Sequence, residues 1–140
     1  MPFIRIWVHL IWATKNQEPL LTDDIRQPIF QHIKDNAIKK GIFVDCINGY
    51  REHVHCLISL NSNQTIANVM QLLKGESAFW INKHQLIDGY FEWQEEYFAV
   101  SVSESMLAKI RAYIENQEKH HSRQTFKTER DQFLERYRFS

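Results

Sequence analysis

Hydrophobic residues recur along the chain with spacings that predict alternating strands and helices. The stretch 3–14 is a nearly continuous apolar run rich in Ile, Val and Trp, which favours a strand buried on both faces. A helix is predicted from Thr22 or Asp23, which can cap its start, to about Lys40. Its buried stripe comprises residues four apart: Ile25, Ile29, Ile33 and Ala37. Pro28 lies beyond the first turn and predicts a kink or a later helix start.

The rest of the chain continues this alternation. Strands are predicted at 42–47, 53–60 and 97–102, and helices at 65–84, 106–120 and 125–137. Asn48-Gly49 follows the second strand and is a strong hairpin turn pair, because both residues tolerate a positive φ. Gly75 interrupts the second helix at a cost of roughly 1 kcal/mol relative to alanine.

The resulting order, β-α-β-β-α-β followed by two helices, predicts an α+β fold. An antiparallel sheet with helices on one face, the ferredoxin-like arrangement, accounts for the first six elements. The last predicted helix is amphipathic and could pack on this body or on a partner. The chain has only four glycines and three prolines and no linker or repeat. Residues 1–140 are therefore predicted to form a single domain.

Composition changes this picture mainly by what it excludes. Hydrophobic residues make up 44% and charged residues 24%, as in a folded globular protein. The 17 basic residues balance the 17 acidic residues, which argues against a generally basic surface but leaves room for a local basic patch. No apolar run is long enough to span a membrane, and no signal peptide is evident. We therefore expect a cytoplasmic protein whose Cys46 and Cys56 are reduced.

His53 and His55 are the first candidates for chemistry. Residues two apart in a strand point to the same face, so both imidazoles would project together while Val54 turns towards the core. Two such imidazoles can form part of a metal site. A histidine pair at this spacing also occurs by chance, so the pair alone leaves a structural role open.

Tyr113 and Gln117 are the second candidates. They are four apart on a predicted helix and therefore share one face. A tyrosine can attack phosphorus and hold a DNA end as a phosphotyrosine, and a glutamine oxygen can complete a metal site begun by two imidazoles. The same residues belong to a helical stripe formed by Met106, Ile110, Tyr113, Ile114 and Gln117. A tyrosine on such a stripe can equally belong to the core or an interface.

Together, His53, His55 and Gln117 offer two nitrogens and one neutral oxygen. That set leaves room for water and phosphate oxygens, and it favours Mg²⁺ or Mn²⁺ over a structural zinc site. The metal would act as a Lewis acid on a phosphate and orient it for attack by Tyr113. A free tyrosine has a pKa of about 10, so its oxygen needs help to lose a proton. The sequence does not identify the group that helps.

Five short motifs carry a more specific signal. They are Trp12-Ala13-Thr14-Lys15-Asn16, Glu52-His53-Val54-His55-Cys56-Leu57, Leu73-Lys74-Gly75-Glu76-Ser77, Trp93-Gln94 leading to Tyr97, and Tyr113-Ile114-Glu115-Asn116-Gln117. In this order and spacing they resemble single-tyrosine HUH transposases of the insertion-sequence 200/605 type, in which U is a hydrophobic residue. The resemblance covers nearly the whole chain and extends to the REP-associated tyrosine transposases.

The resemblance implies a role for each candidate residue. It makes His53, His55 and Gln117 the metal ligands and Tyr113 the nucleophile. The implied reaction is transesterification on single-stranded DNA, in which the tyrosine takes the 5′-phosphate and frees a 3′-hydroxyl without ATP. Family members recognise hairpins near the element ends. They form homodimers in which the tyrosine helix can complete the site of the other subunit.

Phosphate contacts are predicted for five basic residues, each of which could also be an ordinary solvated side chain: Lys15, Arg51, Lys74, Lys83 and Arg111. Trp80 and Trp93 could stack on bases or be buried. His120 and His121 follow Gln117 closely, and we interpret them as helix-end residues that complement the helix dipole.

Three alternative functions remain open from the sequence. The first is a catalytically retired regulator of the same fold that binds hairpin DNA without cutting it. The second is a replication-initiation or relaxase nuclease of the HUH class, against which the small size and the tyrosine helix after the histidines argue. The third is a ferredoxin-like small-ligand protein whose histidine pair is structural.

Overall fold

The computed structural model describes residues 2–121 and 124–138. Within these ranges the elements are β1 (Trp7–Thr14), α1 (Asp23–Lys39), β2 (Phe43–Gly49), β3 (His53–Ser59), α2 (Ile66–Lys83), β4 (Trp93–Val102), α3 (Leu107–Glu115), α4 (Gln117–His121) and α5 (Phe126–Tyr137). Short 3-10 turns lie at Lys15–Gln17 and Glu104–Met106. In the described part of the chain, no helix is long and apolar enough to cross a membrane.

The four strands form one antiparallel sheet in the order β2-β3-β1-β4. With helices α1 and α2 inserted after β1 and β3, this confirms the ferredoxin-like α+β fold that the sequence predicts. The long apolar run of the first strand is explained by its place, because β1 is a central strand that pairs with both β3 and β4. It is buried along its whole length.

Helices cover both faces of the sheet. Alternate residues of each strand point to opposite faces, so each face is lined by every second residue. Val8, Leu10 and Trp12 of β1 belong to the main core with the apolar sides of α1 and α2. Trp7 and Ile11 point the other way, towards α3 and α5 respectively. The helices of the first six elements therefore share one face as predicted, and the C-terminal helices cover the other.

The predicted start of the first strand is wrong. β1 begins at Trp7 rather than at residue 3, and Phe3 is 99% exposed. Trp7 pairs with Ser59 of β3 and with Val102 of β4, which are the terminal residues of both neighbouring strands. Before Trp7, the Ile6 carbonyl still accepts the Leu60 N–H at 2.8 Å, but residues 3–6 do not continue the strand.

The predicted hairpin turn at Asn48-Gly49 is also wrong. Both residues belong to β2, where they pair with His55 and Val54. The chain reverses over residues 50–52, and the Tyr50 N–H donates to the His53 carbonyl oxygen at 3.1 Å. A register shift between Val44 and Cys46 lengthens β2 relative to its partner and moves the turn forward.

The helix predicted at 106–120 is divided into α3 and α4. Asn116 leaves the helical conformation, with φ −98° and ψ 22°. Its side-chain amide donates to the Ala112 carbonyl at 2.8 Å, and the Gln117 amide donates to the Tyr113 carbonyl at 3.1 Å. The Ala112 carbonyl also accepts the Asn116 N–H at 3.1 Å, so the last helical bond is kept there, whereas the Gln117 side chain bonds to the Tyr113 carbonyl four residues back. Pro28, by contrast, neither ends α1 nor delays its start.

Gly49 is predicted to be essential for stability because of space rather than turn geometry. A Cβ at this position would lie 2.1 Å from the His53 carbonyl oxygen, so Gly49→Ala must displace the hairpin. We expect a loss of about 2–3 kcal/mol in the free energy of unfolding, measured by urea denaturation. Gly75→Ala is the matched control, because it meets no atom within 4 Å. In the interior of α2 it should add about 0.5–1 kcal/mol. Equal urea midpoints for Gly49→Ala and the wild type would contradict this interpretation.

Candidate active site

The histidine pair lies at the centre of the face covered by the C-terminal helices. His53 and His55 are both 0% exposed, while Val54 between them belongs to the main core. The strand periodicity therefore predicts their direction correctly. Leu57, two residues further on, continues the same face and packs against Leu107 and Ile114 of α3. These apolar contacts hold α3 over the histidines.

Each histidine is held by the ring nitrogen that faces away from the centre. The Nδ1 of His53 lies 2.7 Å from a carboxylate oxygen of Glu52, and the Nδ1 of His55 lies 2.8 Å from the Nε2 of His9. A ligating imidazole is commonly oriented by such a bond on its second nitrogen. Both Nε2 atoms are therefore directed to a common point. Burial, followed by the charge of neighbouring His55, lowers the pKa of His9 to about 3.

Gln117 reaches the same point from α4. Its Oε1 lies 3.0 Å from the Nε2 of His53. Its amide nitrogen donates to the Tyr113 carbonyl, which fixes the amide with its oxygen towards the histidine. The structure thus brings Gln117 to His53 even though the predicted single helix is broken between Tyr113 and Gln117.

Tyr113 completes the arrangement within the same chain. Its ring meets that of His55 edge-on at 5.4 Å between centroids, and its hydroxyl donates to the Oε2 of Glu129. Burial and the negative charge of Glu129 raise the pKa of Tyr113 above its usual value. The phenol is therefore positioned but protonated, so it needs a charge change nearby before it can act as a nucleophile.

Glu129 belongs to the centre, although the sequence did not indicate it. It is 2% exposed, and its Oε1 lies 3.1 Å from the Nε2 of His55 and 3.6 Å from the Nε2 of His53. Burial acts to raise the pKa of Glu129, but its contacts with His121 and His55 outweigh burial and lower it strongly. One acidic residue in a largely exposed C-terminal helix gave no pattern from which its place could be predicted.

His121 also lies at this centre, so its interpretation as a helix-end residue is incomplete. Its Nε2 lies 3.4 Å from the Oε1 of Glu129 but makes no hydrogen bond of acceptable geometry. Neighbouring His120 approaches the other carboxylate oxygen, with its Nε2 3.2 Å from Oε2. The sequence placed both histidines close to Gln117 but could not show which one turns inwards.

The donor atoms fit a divalent metal ion. One ligand atom from each of His53, His55, His121 and Glu129 lies within 4.8 Å of all the others. Two ligands about 2.1 Å from one ion, at octahedral or tetrahedral angles, are about 3.0–3.4 Å apart. Several pairs here have that separation. Burial lowers the pKa of His55 to about 4, which keeps its ring neutral and able to ligate near neutral pH. The cluster could therefore hold a metal ion.

Contacts outside the centre fix the position of α4. Arg26 of α1 is 1% exposed and donates to Glu118, the residue after Gln117. The ring of Tyr50 stacks on that of His121, with 5.6 Å between centroids. These contacts tie α4 to the first helix and to the β2–β3 turn. Gln117 and His121 are consequently presented by a supported segment rather than by a free chain end.

A groove of about 710 Å³ opens beside Tyr113. Its lining includes His9, Lys109, Tyr113, His120, Glu129 and Arg136. Lys109 and Arg136 are exposed cations at its walls. The groove gives the tyrosine hydroxyl a route to an external substrate.

The five basic residues predicted to bind phosphate lie elsewhere on the molecule. None of them is among the described residues that line this groove. Arg111 is bonded to both carboxylate oxygens of Asp45, at 2.7 and 2.9 Å. Lys15 pairs with Glu92, and Lys74 donates to main-chain carbonyls at the start of β4. Arg51 packs over Tyr50, and Lys83 is exposed at the end of α2. Their contacts with DNA stay predictions.

Residues from three of the sequence motifs support the scaffold. The Nε1 of Trp93 donates to the Ser77 hydroxyl at 2.9 Å, and Trp93 is 8% exposed. This bond joins α2 to the start of β4. The Trp93 ring lies in the core and is not exposed for stacking on a DNA base. Thr14 is 0% exposed and donates to the Glu52 carbonyl, which joins the end of β1 to the segment carrying the histidines.

The fold agrees with comparisons to known proteins. Residues 3–117 match the family model described as Transposase IS200 like. The ISDra2 transposase TnpA of Deinococcus radiodurans is 32% identical over 114 residues, which is 78% of this chain and 81% of that protein. A crystallised candidate transposase from D. radiodurans is 30% identical, with a TM-score of 0.65 over 83% of this chain and 93% of its own. A REP-associated tyrosine transposase bound to a REP hairpin shares the fold, at 11% identity and a TM-score of 0.59 over 87% of this chain and 70% of its own. The chain therefore belongs to the IS200-like transposase family and is a DNA-cleaving transposase.

Proposed function

We propose that this transposase cleaves and rejoins single-stranded DNA at element ends with Tyr113 as its nucleophile and His53, His55 and Gln117 as metal ligands. The observation that carries the proposal is the convergence, within one chain, of a tyrosine hydroxyl and two oriented imidazoles on a buried centre. Gln117 adds an amide oxygen to the same centre.

The proposed reaction is a transesterification. The Tyr113 oxygen forms a bond to phosphorus, the bond from phosphorus to the 3′-oxygen breaks, and that oxygen leaves as a 3′-hydroxyl after taking a proton. The DNA keeps its 5′-phosphate as a phosphotyrosine, so attack by another 3′-hydroxyl can reverse the step without ATP. A bound Mg²⁺ or Mn²⁺ would supply Lewis acidity and orient the phosphate for in-line attack.

Burial of the histidine centre supports a positioning role for the surrounding residues. Glu52 and His9 hold the two ligand imidazoles, and the Gln117 amide holds the carbonyl of Tyr113. A site whose reacting groups are fixed in advance spends less binding energy on ordering them. The groove with Lys109 and Arg136 offers the strand a path to Tyr113.

The proposed substrate is single-stranded DNA with hairpins near the element ends. The REP-associated tyrosine transposase that shares the fold has been solved bound to a REP hairpin, which supports the choice of this substrate. Phosphate contacts are proposed for Lys15, Arg51, Lys74, Lys83 and Arg111 in addition to the groove cations. We further propose a homodimer that acts in the cytoplasm.

The proposal is tested with the full chain and a labelled single strand that spans an element end. With Mn²⁺ or Mg²⁺ we expect a covalent protein–DNA adduct and a free 3′-hydroxyl fragment, and with EDTA we expect neither. If the protein is instead a catalytically retired regulator, it should bind the hairpin and form no adduct, with or without the metal ion. Binding of the hairpin without any metal-dependent adduct would therefore replace the proposed reaction with that alternative.

A further inference from the structure

We propose that His121 and Glu129 are direct ligands of the metal, so that three imidazoles and one carboxylate join Gln117 and select a first-row transition ion over Mg²⁺. This inference rests on the proposed function, because it concerns the same centre. It adds donors from α4 and α5 to the pair on β3. It also changes the ion that the site prefers, since three nitrogen donors replace two.

The orientation of His121 indicates a ligand. Its Nδ1 lies 2.8 Å from the carbonyl oxygen of Gln124, which can only accept a hydrogen bond. That nitrogen therefore carries the proton in the neutral ring, and the lone pair lies on Nε2. This Nε2 is buried, has no hydrogen-bond partner and lies 3.4 Å from the Oε1 of Glu129. A buried acceptor without a donor is costly unless another partner, such as a metal ion, uses it.

The position of Glu129 indicates a second ligand. Its Oε1 lies 3.1 to 3.6 Å from the Nε2 atoms of His55, His53 and His121. No lysine or arginine pairs with Glu129 in the part of the chain that the structure describes. A buried carboxylate without a lysine or arginine partner lacks a permanent positive counter-charge. A divalent ion between the four donors would supply one.

The contacts of α5 direct Glu129 inwards on both sides. Phe126, one turn before it, stacks on the ring of His53 with 4.3 Å between centroids. Arg130, the next residue, makes two bonds of 2.9 Å to the carboxylate of Glu96. Most of the remaining side chains of α5 are exposed. The side of α5 that packs against the rest of the protein is therefore the side that carries Glu129.

This donor set is better suited to a transition ion than to Mg²⁺. Mg²⁺ favours oxygen ligands and keeps several of its waters, whereas imidazole suits the later first-row ions. Five protein donors, from His53, His55, His121, Glu129 and Gln117, would leave one octahedral position for a phosphate oxygen. The second oxygen of Glu129 accepts the Tyr113 hydroxyl, so the same carboxylate joins the nucleophile to the metal ligands.

The experiment measures Mn²⁺ affinity of the full chain from the free-ion EPR signal, without DNA. His121→Asn and Glu129→Gln should each weaken binding about 100-fold or more, because even partners one layer outside the ligands are worth about 10–100-fold. His84→Asn, which changes a histidine at the end of α2, and Lys127→Ala, which changes a residue of α5, are the matched controls because both side chains are exposed. They should change the affinity by less than about twofold, since neither belongs to the donor set. An excess of about 100-fold Mg²⁺ should leave most Mn²⁺ bound.

Pulsed EPR of the Mn²⁺-loaded wild type gives a readout that needs no variant. Couplings to three imidazole nitrogens are expected, and couplings to only two would overturn the inference. Unchanged affinity in both His121→Asn and Glu129→Gln, or ready displacement by Mg²⁺, would overturn it as well. In those cases a covalent DNA adduct would still uphold the proposed function. Three nitrogen couplings in a protein that never forms an adduct would support the inference and reject the proposed function.

Discussion

Tyr113→Phe is expected to abolish the covalent DNA adduct. Phenylalanine keeps the ring that packs against His55 but has no oxygen to bond to phosphorus. Loss of a nucleophile of this kind lowers turnover by a factor on the order of 10⁴ or more. The measurement is adduct formation with a labelled single strand and Mn²⁺, resolved on a denaturing gel. Binding of the same strand should persist, because the substitution removes no cation.

Tyr137→Phe is the matched control for this experiment. Tyr137 also lines the groove but belongs to α5, and it is 38% exposed. Its substitution should leave the yield of adduct unchanged. If the adduct forms with Tyr113→Phe but not with Tyr137→Phe, the nucleophile is Tyr137 of α5 and not Tyr113.

His55→Ala is expected to separate cleavage from DNA binding. His55 is 0% exposed and its Nε2 faces the carboxylate of Glu129, so its loss removes a central donor. Loss of a residue that only supports a ligand lowers metal affinity about 10–100-fold, so loss of the ligand itself should lower it about 100-fold or more. Cleavage should fall in proportion. Hairpin binding, measured by fluorescence anisotropy, should stay within about threefold, because contacts to phosphates dominate affinity.

His84→Ala is the control for this variant. His84 is exposed at the end of α2, where its ring lies 5.0 Å from that of Trp80. It should cleave and bind metal as the wild type does. Circular dichroism must show that His55→Ala is folded, since a buried side chain has been removed. Full metal-dependent cleavage by folded His55→Ala would contradict the assignment of His55 as a ligand.

Much of the scaffold could be predicted because local patterns determine it. The period of two in β3 fixes the direction of His53 and His55, and β1 is buried as its apolar run requires. The turn could not be placed, because the register shift between Val44 and Cys46 depends on pairing with β3. The break at Asn116 goes with the bond from the Gln117 side chain to the Tyr113 carbonyl, which the helical spacing alone does not indicate.

The candidate site was predictable only in part. The four-residue spacing of Tyr113 and Gln117 survives the break between α3 and α4, because the Gln117 amide bonds to the Tyr113 carbonyl. His9 and Glu129 come from the first strand and the last helix, 46 and 74 residues from His55. Their approach is set by sheet register and by the docking of α5. No local spacing in the sequence reports either of these.

Mapping of the residue that carries the DNA tests the central claim most directly. The adduct formed by the wild-type chain with Mn²⁺ would be digested with nuclease and protease and analysed by tandem mass spectrometry. The account predicts a nucleotide joined through its 5′-phosphate to Tyr113, in the peptide that also contains Ile114. A nucleotide on any other side chain, or cleavage that leaves no protein-linked nucleotide, would contradict the account.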